Sequence, residues 1–415
     1  MTRTVSRETP APAAAKEARI LIVAGDPSGD LYASLLIREL RRQSGARRRD
    51  LRLHAAGGSL TREALAESRH GAFHGDLASL GLVGIVEPAR RIPTLLKLLR
   101  GLQTLMADAR PDAVVCIDYY GFNRHVLAAA KRLGVPAYYF ISPQVWATRP
   151  GRVARIKRWV ERMLVIFPFE KDIYEDAGVP VTWVGHPLLD LLPDPKPRPR
   201  PERAGPGPLR LGLLPGSRPS EVRRHLPMFL RSAARIMKDF PRAQVAVFAA
   251  PQLSDAFYRR WLDRWRGPDG GRPRIVRESN YAERSRQDLV LTSSGTATLE
   301  NALLGLPMVV VYKTSWPNYF LARALIRVRH VAMANILAGR RLVPELIQHK
   351  ATPSRVADAA LKMLEDPRRL ESLRGDLLAL RETLGGPGAT RRAAGILLAE
   401  IGRRRGLRAC GDATS

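Results

Sequence analysis

The stretch ARILIVAGDPSGDLYASLLIREL, residues 18–40, joins a run of aliphatic residues to an amphipathic segment through a turn of small residues. This order predicts a buried strand, a tight turn and a helix, which is the unit from which parallel α/β sheets are built. The glycines of GDPSGD, residues 25–30, do not follow the G-x-G-x-x-G spacing of a dinucleotide site. The spacing alone leaves open what this turn binds.

The same alternation of aliphatic runs and helix-like stretches continues along the chain. It is interrupted once, by PDPKPRPRPERAGPGP at 193–208, where the frequent prolines favour a stiff, extended linker. We therefore predict an α/β protein with two Rossmann-like, doubly wound domains that face one cleft. The predicted divisions are a disordered tail at 1–17, domains at 18–192 and 209–385 on either side of the linker, and a C-terminal helix and tail at 386–415.

The chain has a large excess of positive charge, which indicates either an anionic partner or a bias in composition. Its 415 residues include 68 basic and 39 acidic ones, a net charge of +29. Such a balance indicates phosphorylated substrates, an anionic membrane surface or nucleic acid, although arginines scattered along a chain also arise from genome composition. Only 6% of the residues are aromatic, and we do not expect nucleic acid as a partner. The two cysteines suggest a reducing, cytoplasmic compartment.

One predicted helix has two interpretations. Residues 90–111 place apolar side chains on one face and basic residues nearby. Such a helix either lies in a membrane interface or packs on a sheet. The apolar face consists of Ile92, Leu95, Leu96, Leu99, Leu102 and Met106.

Three strand ends carry polar or small residues suited to chemistry. Asp118 follows the run AVVCI and is either a helix cap or a proton acceptor. Arg218 in LLPGSR offers a guanidinium to phosphate, unless it is only a surface residue beside a capped helix. SSGTATLE at 293–300 gathers hydroxyls and backbone amides at a helix start, which predicts an anion site, with Glu300 one turn further on to accept a ribose diol. No metal-ligand spacing occurs, and we expect neither a metal nor another cofactor.

Several strings, in this order, resemble the lipid-A-disaccharide synthase family of bacterial glycosyltransferases. They are AGDPSGD, IDYYGFN, SPQVWATRPGRVARI, FPFEKDIYEDAG, LLPGSRPSEV, SSGTATLENALLGLP and MANILAGRRLVPELIQ. The resemblance covers about residues 18–390. It implies the glycosyltransferase B fold and no metal requirement. It also implies the inverting transfer of a sugar from UDP-2,3-diacylglucosamine to the primary hydroxyl of 2,3-diacylglucosamine 1-phosphate, a step of lipid A biosynthesis. The expected place is the cytoplasmic face of the inner membrane, and a homodimer is possible.

The resemblance also implies roles for individual residues. Asp118 matches the proposed general base, Ser28 the serine of the first turn, and Asp26 stands where the family has glutamate. The implied UDP-binding residues are Arg218, Ser217, Gly295, Thr296, Ala297 and Glu300. The implied sugar and acceptor residues are Asn335, Asn123, Ser142 and Trp146. Tyr119, Tyr120 and Gly121 replace Ala, Pro and Asp of the family pattern, which leaves a related UDP-sugar transferase or epimerase with another acceptor as the alternative.

Overall fold

The computed structural model describes residues 17–46, 50–68, 70–80, 88–147, 151–195, 208–265, 267, 271–278, 280–325 and 328–411. Almost all of the predicted N-terminal tail and most of the predicted linker lie outside these residues. Among the described helices, none is both long and apolar enough to cross a membrane.

The first half of the chain forms a seven-stranded sheet with the order β3-β2-β1-β4-β5-β6-β7, in which all paired strands are parallel. Its strands are β1 (Ala18–Ala24), β2 (Leu51–Gly57), β3 (Gly71–Asp76), β4 (Ala113–Ile117), β5 (Ala137–Phe140), β6 (Arg162–Val165) and β7 (Val181–Trp183). The helices that connect them are α1 (Pro27–Ala46), α2 (Ser59–Ala66), α3 (Pro88–Ala109), α4 (Tyr120–Arg132), α5 (Arg152–Trp159) and α6 (Pro168–Asp176).

The second half forms a six-stranded parallel sheet with the order β10-β9-β8-β11-β12-β13. Its strands are β8 (Arg210–Leu214), β9 (Gln244–Phe248), β10 (Arg274–Val276), β11 (Leu289–Ser293), β12 (Met308–Tyr312) and β13 (Glu345–Ile347). The helices that follow are α7 (Pro219–Asp239), α8 (Asp255–Leu262), α9 (Ala282–Ser285), α10 (Thr296–Leu303), α11 (Trp316–Leu325), α12 (Met333–Ala338), α13 (Pro353–Leu364), α14 (Pro367–Thr383) and α15 (Ala389–Gly411).

Two parallel α/β sheets confirm the predicted fold class. The aliphatic runs form the central strands because a parallel sheet covered by helices on both faces buries every side chain of such a strand. β1 and β4 are buried along almost their whole length. The sequence analysis did not predict β3 or β13, since neither GAFHGD nor the three residues of β13 form an aliphatic run.

The C-terminal helix returns to the first half of the chain. The Gln43 side chain of α1 donates a 2.8 Å hydrogen bond to the backbone carbonyl of Arg391 in α15. Arg404 of α15 pairs with Glu161 at 2.6 Å, and the Asp190 carboxylate accepts a hydrogen bond from the backbone of Thr390. One continuous hydrophobic core also contains residues of both sheets. These contacts tie the two sheets together.

The apolar face predicted for residues 90–111 is divided in the structure. Leu95, Leu102 and Met106 are buried in the core beside the first sheet. Ile92 and Leu96 are instead 47% and 45% exposed. α3 therefore packs on the sheet with one part of its face and presents another part to the outside.

Candidate functional site

Each sheet reverses its strand order between two neighbouring strands. In the first sheet these strands are β1 and β4, and in the second they are β8 and β11. Ligands of open α/β sheets bind beyond the carboxyl ends of the strands at this point of reversal. Asp26, Asp118, Arg218 and Gly295 each follow the end of one of these four strands, so the topology brings the predicted candidates to two such points.

Asp118 is held by its backbone directly after β4. It adopts a φ of 43°, and its carbonyl accepts hydrogen bonds from the Tyr139 hydroxyl at 2.5 Å and the Asn123 amide at 2.8 Å. Its carboxyl is half-buried. Burial raises the pKa of Asp118 to about 8, and the neighbouring charge of Asp26 adds to this increase. A carboxylate with such a pKa is a stronger base than an ordinary aspartate.

In the turn after β1, the carboxylate of Asp26 accepts hydrogen bonds from residues at the start of α1. Asp26 accepts hydrogen bonds from the Gly29 backbone amide at 2.5 Å and from the Ser28 hydroxyl at 3.3 Å. Burial raises the pKa of Asp26, whereas these hydrogen bonds and the charge of Arg218 lower it. Asp30 instead binds the backbone amides of Gly58 and Thr61 beside the start of α2. The amide that a phosphate would use at Gly29 is thus occupied by Asp26.

Tyr119 lies against the backbone of this turn. A Cβ atom built on Gly25 would come within 2.0 Å of the Tyr119 ring. Glycine is therefore required at position 25 by the close approach of the ring. The Tyr119 ring connects the end of β4 to the turn after β1.

Arg218 is the N-cap residue of α7 in the second half of the chain. Its guanidinium donates a 2.9 Å hydrogen bond to Glu221, and the other oxygen of Glu221 accepts from the backbone amide of Ser217 at 3.1 Å. Ser217 is exposed, and the Arg218 side chain is 42% exposed. Glu221 therefore orients Arg218 while leaving part of its guanidinium open to a ligand.

The turn after β11 is open above its backbone. Gly295 has a φ of 153°, and a Cβ atom built on it would meet nothing within 4 Å. Gly295 and Thr296 are exposed, and Ala297 is half-buried. The start of α10 is thus accessible to a ligand, as the sequence predicts for an anion site.

Glu300 belongs to a polar cluster that the sequence analysis did not find. Its carboxylate pairs with Arg284 at 2.5 Å and accepts a 3.3 Å hydrogen bond from the Tyr281 hydroxyl. Arg284 also pairs with Glu278 at 2.6 Å. A carboxylate has about four acceptor positions, so Glu300 retains capacity for ribose hydroxyls. Only the fold brings residues 278–284 to α10, and no sequence motif marked them.

Candidate residues of both halves of the chain affect Tyr32 electrostatically. Its side chain is buried, and burial raises its pKa well above the usual value. Four other groups raise it further through their charge, namely Glu300 and Tyr281 of the second half and Asp26 and Asp118 of the first. The Tyr32 hydroxyl is therefore within electrostatic range of candidate residues from both halves of the chain.

Ser142 and Trp146 bind a buried carboxylate, Glu170. The Trp146 ring nitrogen donates to Glu170 at 3.2 Å, and the Ser142 hydroxyl lies 2.8 Å from that of Tyr174. Burial raises the pKa of Glu170 to about 7, although hydrogen bonds from Phe167 and Trp146 lower it. Glu170 also contributes to the raised pKa of Asp118, so this loop acts on the base through Glu170.

The two predicted asparagines are fully buried supports in this structure. Asn123 donates to the carbonyls of Ile117 and Asp118. Asn335 donates to the Val343 carbonyl and to Glu345, and its oxygen accepts from the backbone amides of Leu342 and Val343. Both side chains hold loops in place, and their geometry gives them no direct access to a ligand. α12 packs beside α10, where the Met333 backbone amide donates to the Thr298 hydroxyl, so Asn335 lies near the candidates of α10 while its own side chain is buried.

A family model for lipid-A-disaccharide synthetase matches residues 20–397. The chain belongs to this family. It is 40% identical over 390 residues to the lipid-A-disaccharide synthase of Geobacter metallireducens, covering 93% of this chain and 98% of that one. It is 38% identical over 386 residues to that of Syntrophus aciditrophicus, covering 92% and 97%. Family membership confirms the predicted glycosyltransferase of lipid A biosynthesis and does not favour the alternative.

Solved structures confirm the glycosyltransferase B fold. MurG of Acinetobacter baumannii matches with a TM-score of 0.55 and 16% identity, covering 92% of this chain and 99% of that one. A UDP-GlcNAc 2-epimerase of Neisseria meningitidis matches with a TM-score of 0.59 and 13% identity, covering 92% and 100%. At such low identity these similarities establish the fold alone. Among the described residues, no group of three or more His, Cys, Asp or Glu side chains is arranged to hold a metal ion.

Proposed function

We propose that the chain transfers 2,3-diacylglucosamine from UDP to the primary hydroxyl of 2,3-diacylglucosamine 1-phosphate, with inversion at the anomeric carbon. The products are the lipid A disaccharide 1-phosphate and UDP. The observation that carries the proposal is Asp118, a half-buried residue directly after β4 whose pKa is raised by burial to about 8. Family membership supplies the substrate class.

In the proposed reaction, Asp118 takes the proton of the acceptor hydroxyl as its oxygen attacks the anomeric carbon. The bond between that carbon and the UDP oxygen breaks at the same time, and UDP leaves with the electron pair. Asp26 and Ser28 shape the turn beside Asp118. Burial raises the pKa of Asp118, and the charge of Asp26 adds to this increase. Both effects, the burial of Asp118 and the like charge of Asp26, raise the pKa of the base and thereby support proton transfer near neutral pH.

UDP is proposed to bind the second half of the chain. Arg218, held by Glu221, offers positive charge to the pyrophosphate. Accessible backbone for the same ligand is proposed at Ser217, Gly295, Thr296 and Ala297. Positive charge at the leaving group stabilises the charge that develops there in the transition state. Glu300 is proposed to accept the ribose hydroxyls while Arg284 and Tyr281 fix its orientation.

The protein is proposed to work on the cytoplasmic face of the inner membrane. Ile92 and Leu96 of α3 are exposed, and Lys97 and Arg100 beside them are exposed as well. Each basic residue near an anionic surface contributes about 1 kcal/mol to binding. Anionic vesicles are expected to bind the protein at low salt and to release it at high salt. Binding that does not change with salt concentration contradicts an electrostatic contribution to membrane binding. A homodimer stays a prediction.

The test of the reaction uses the purified chain with both substrates in detergent, and mass spectrometry follows disaccharide formation. We expect disaccharide and UDP in equal amounts from the native chain. A chain that binds UDP but makes no disaccharide contradicts the proposed acceptor. Matched reactions with UDP-N-acetylglucosamine as the donor check that the acylated sugar is required.

A further inference from the structure

A cavity of 440 Å³ opens beside the start of α4 and α5, and neither the fold nor the proposed reaction assigns it a ligand. It is lined by Tyr120, Gly121, Arg124, Gly151, Arg152 and Arg155. Three of these six residues are arginines, and none of the described lining residues is acidic. The cavity is therefore a concave surface with strong positive charge, which favours an anionic ligand.

The arginines approach the cavity from two helices. Arg124 belongs to α4, whereas Arg152 and Arg155 belong to α5. The Arg152 guanidinium lies 4.8 Å from the centre of the Tyr120 ring, within the range of a cation–π contact. Arg124 and Arg155 are exposed. Planar guanidinium groups that converge from different elements match the several oxygens of a phosphate group.

The cavity lies close to the proposed base. Tyr120 follows Asp118 by two residues, so their Cα atoms are at most about 7 Å apart. Asp118 acts on the primary hydroxyl that attacks the donor. In a hexopyranose, the carbon that bears this hydroxymethyl group and the anomeric carbon are both bonded to the ring oxygen, so the primary hydroxyl and the anomeric oxygen lie only a short distance apart. A sugar whose hydroxyl reaches Asp118 can therefore extend its anomeric substituent toward this cavity.

We propose that this cavity binds the 1-phosphate of the acceptor sugar through Arg124, Arg152 and Arg155. The inference rests on the proposed function, since it takes its ligand from the proposed acceptor. A phosphomonoester bound here keeps the acceptor sugar in one orientation, with its primary hydroxyl toward Asp118. The same arginines select an acceptor that carries a phosphate over a sugar that lacks one.

Gly121 keeps this cavity open. A Cβ atom built on Gly121 would meet nothing within 4 Å, so the residue leaves unoccupied space at the wall. Glycine at this position leaves room at the wall for a ligand beside the arginines.

The main experiment compares Arg155→Ala and Arg124→Ala with the native chain in nonionic detergent. We expect each variant to raise the KM for the phosphorylated acceptor about tenfold or more, because hydrogen bonds to charged groups are strong. The KM for the UDP-sugar stays unchanged. With diacylglucosamine that lacks the 1-phosphate, the native chain and both variants have the same kcat/KM. Unchanged acceptor KM in both variants overturns the proposal.

Two matched substitutions serve as controls. Arg158 is an exposed residue of α5 outside the cavity lining, and Arg132 is its counterpart on α4. Arg158→Ala and Arg132→Ala remove the same charge from the same helices, and we expect native KM values for both. An equal increase of the acceptor KM in the controls means that net charge alone attracts the acceptor, and it overturns a specific site.

A binding measurement separates this inference from the proposed reaction. Labelled diacylglucosamine 1-phosphate is mixed with the protein in nonionic micelles, and its co-elution is measured by gel filtration. Weaker binding by Arg155→Ala than by Arg158→Ala supports the cavity even if no disaccharide forms, in which case only the proposed reaction fails. Equal binding by the two variants overturns the cavity assignment whether or not disaccharide forms.

Phosphate also occurs in membrane lipids, and vesicles that contain phosphatidic acid distinguish this source. We expect Arg155→Ala and Arg158→Ala to reduce vesicle binding to the same small extent, because both only remove one surface charge. A selective loss of vesicle binding in Arg155→Ala, with a native acceptor KM, assigns the cavity to a lipid headgroup and overturns the proposal.

Discussion

The carboxylate of Asp26 raises the pKa of Asp118 across the ends of two neighbouring strands. β1 and β4 pair in parallel with Ala24 opposite Ile117, so the two aspartates emerge at the same edge of the sheet. Like charges on two neighbouring carboxylates disfavour the ionised form of both groups. Burial is the larger cause of the raised pKa of Asp118, and the sheet adds to it by placing a second acid at the same edge.

The first prediction concerns the dependence of kcat/KM on pH. Asp118 accepts a proton only when ionised, so kcat/KM should rise with pH and level off above about 8. Asp26→Asn removes one cause of the raised pKa, so the rise should move to lower pH. Steady-state rates between pH 5.5 and 9.5 measure both effects. Asp50→Asn, at an exposed position, should leave the profile unchanged, and a native profile for Asp26→Asn contradicts the coupling.

The second prediction separates activity from stability at Asp118. A carboxyl whose pKa is raised by folding stabilises the folded state at low pH, and this contribution is lost as the pH rises toward 8. Asp118→Asn removes the cost of ionising a buried group. At pH 8 the variant should therefore have a Tm higher by at least ~2 °C and a kcat lower by about 10²–10⁴-fold. Calorimetry and the disaccharide assay measure the two quantities.

Asp108→Asn is a control for this second prediction, since Asp108 is exposed near the end of α3. It should change neither quantity. An Asp118→Asn variant that is less stable than the native chain at pH 8 would show that Asp118 acts as a structural cap, which was the other interpretation of this residue.

The third prediction tests whether Asn335 supports the structure or contacts a sugar. Its amide makes four hydrogen bonds, to Leu342, Glu345 and both backbone groups of Val343. Asn335→Ala leaves these buried groups without partners and should lower the free energy of unfolding by about 2–4 kcal/mol. Denaturant unfolding measures this change. Asn280→Ala, at an exposed turn, should cost much less, and native stability with lost activity in Asn335→Ala would favour direct sugar contact.

The fourth prediction concerns acid. Burial and the nearby His74 and Arg52 lower the pKa of His54 to about 4. The Nδ1 atom of His54 lies 3.0 Å from the Nε2 atom of His74. The unfolded chain binds a proton at His54 near pH 6.5, whereas the folded chain does not. The stabilising contribution of neutral His54 is therefore complete above pH 6.5 and is lost as the pH falls toward 4.

Denaturant unfolding between pH 8 and 4 measures this loss. His54→Gln, which carries no titrating ring, should lose less stability than the native chain over this range. His349→Gln replaces an exposed histidine and should behave as the native chain does. If His54→Gln loses as much stability as the native chain, other groups are responsible for the acid sensitivity.

Much of the candidate site was predictable from local sequence, because the residues suited to binding or proton transfer directly follow predicted strands. A run such as AVVCI must be buried on both faces, so the residue after it emerges at the edge of the sheet. This logic identified Asp118, Arg218 and Gly295 without knowledge of the fold. It did not distinguish Asn335, because a motif position does not reveal whether a side chain points into a cleft or into a loop.

Hydrophobic periodicity and turn residues are local properties. The two parallel α/β sheets, the family, and the strand ends that carry Asp26, Asp118 and Arg218 were therefore predictable from the sequence. The folded structure was needed to show that Trp146 donates a hydrogen bond to Glu170, that Arg284 pairs with Glu300, and that three arginines line one cavity. These relationships join residues on different elements, and burial and electrostatic interactions depend on distances in space that separation along the chain does not encode.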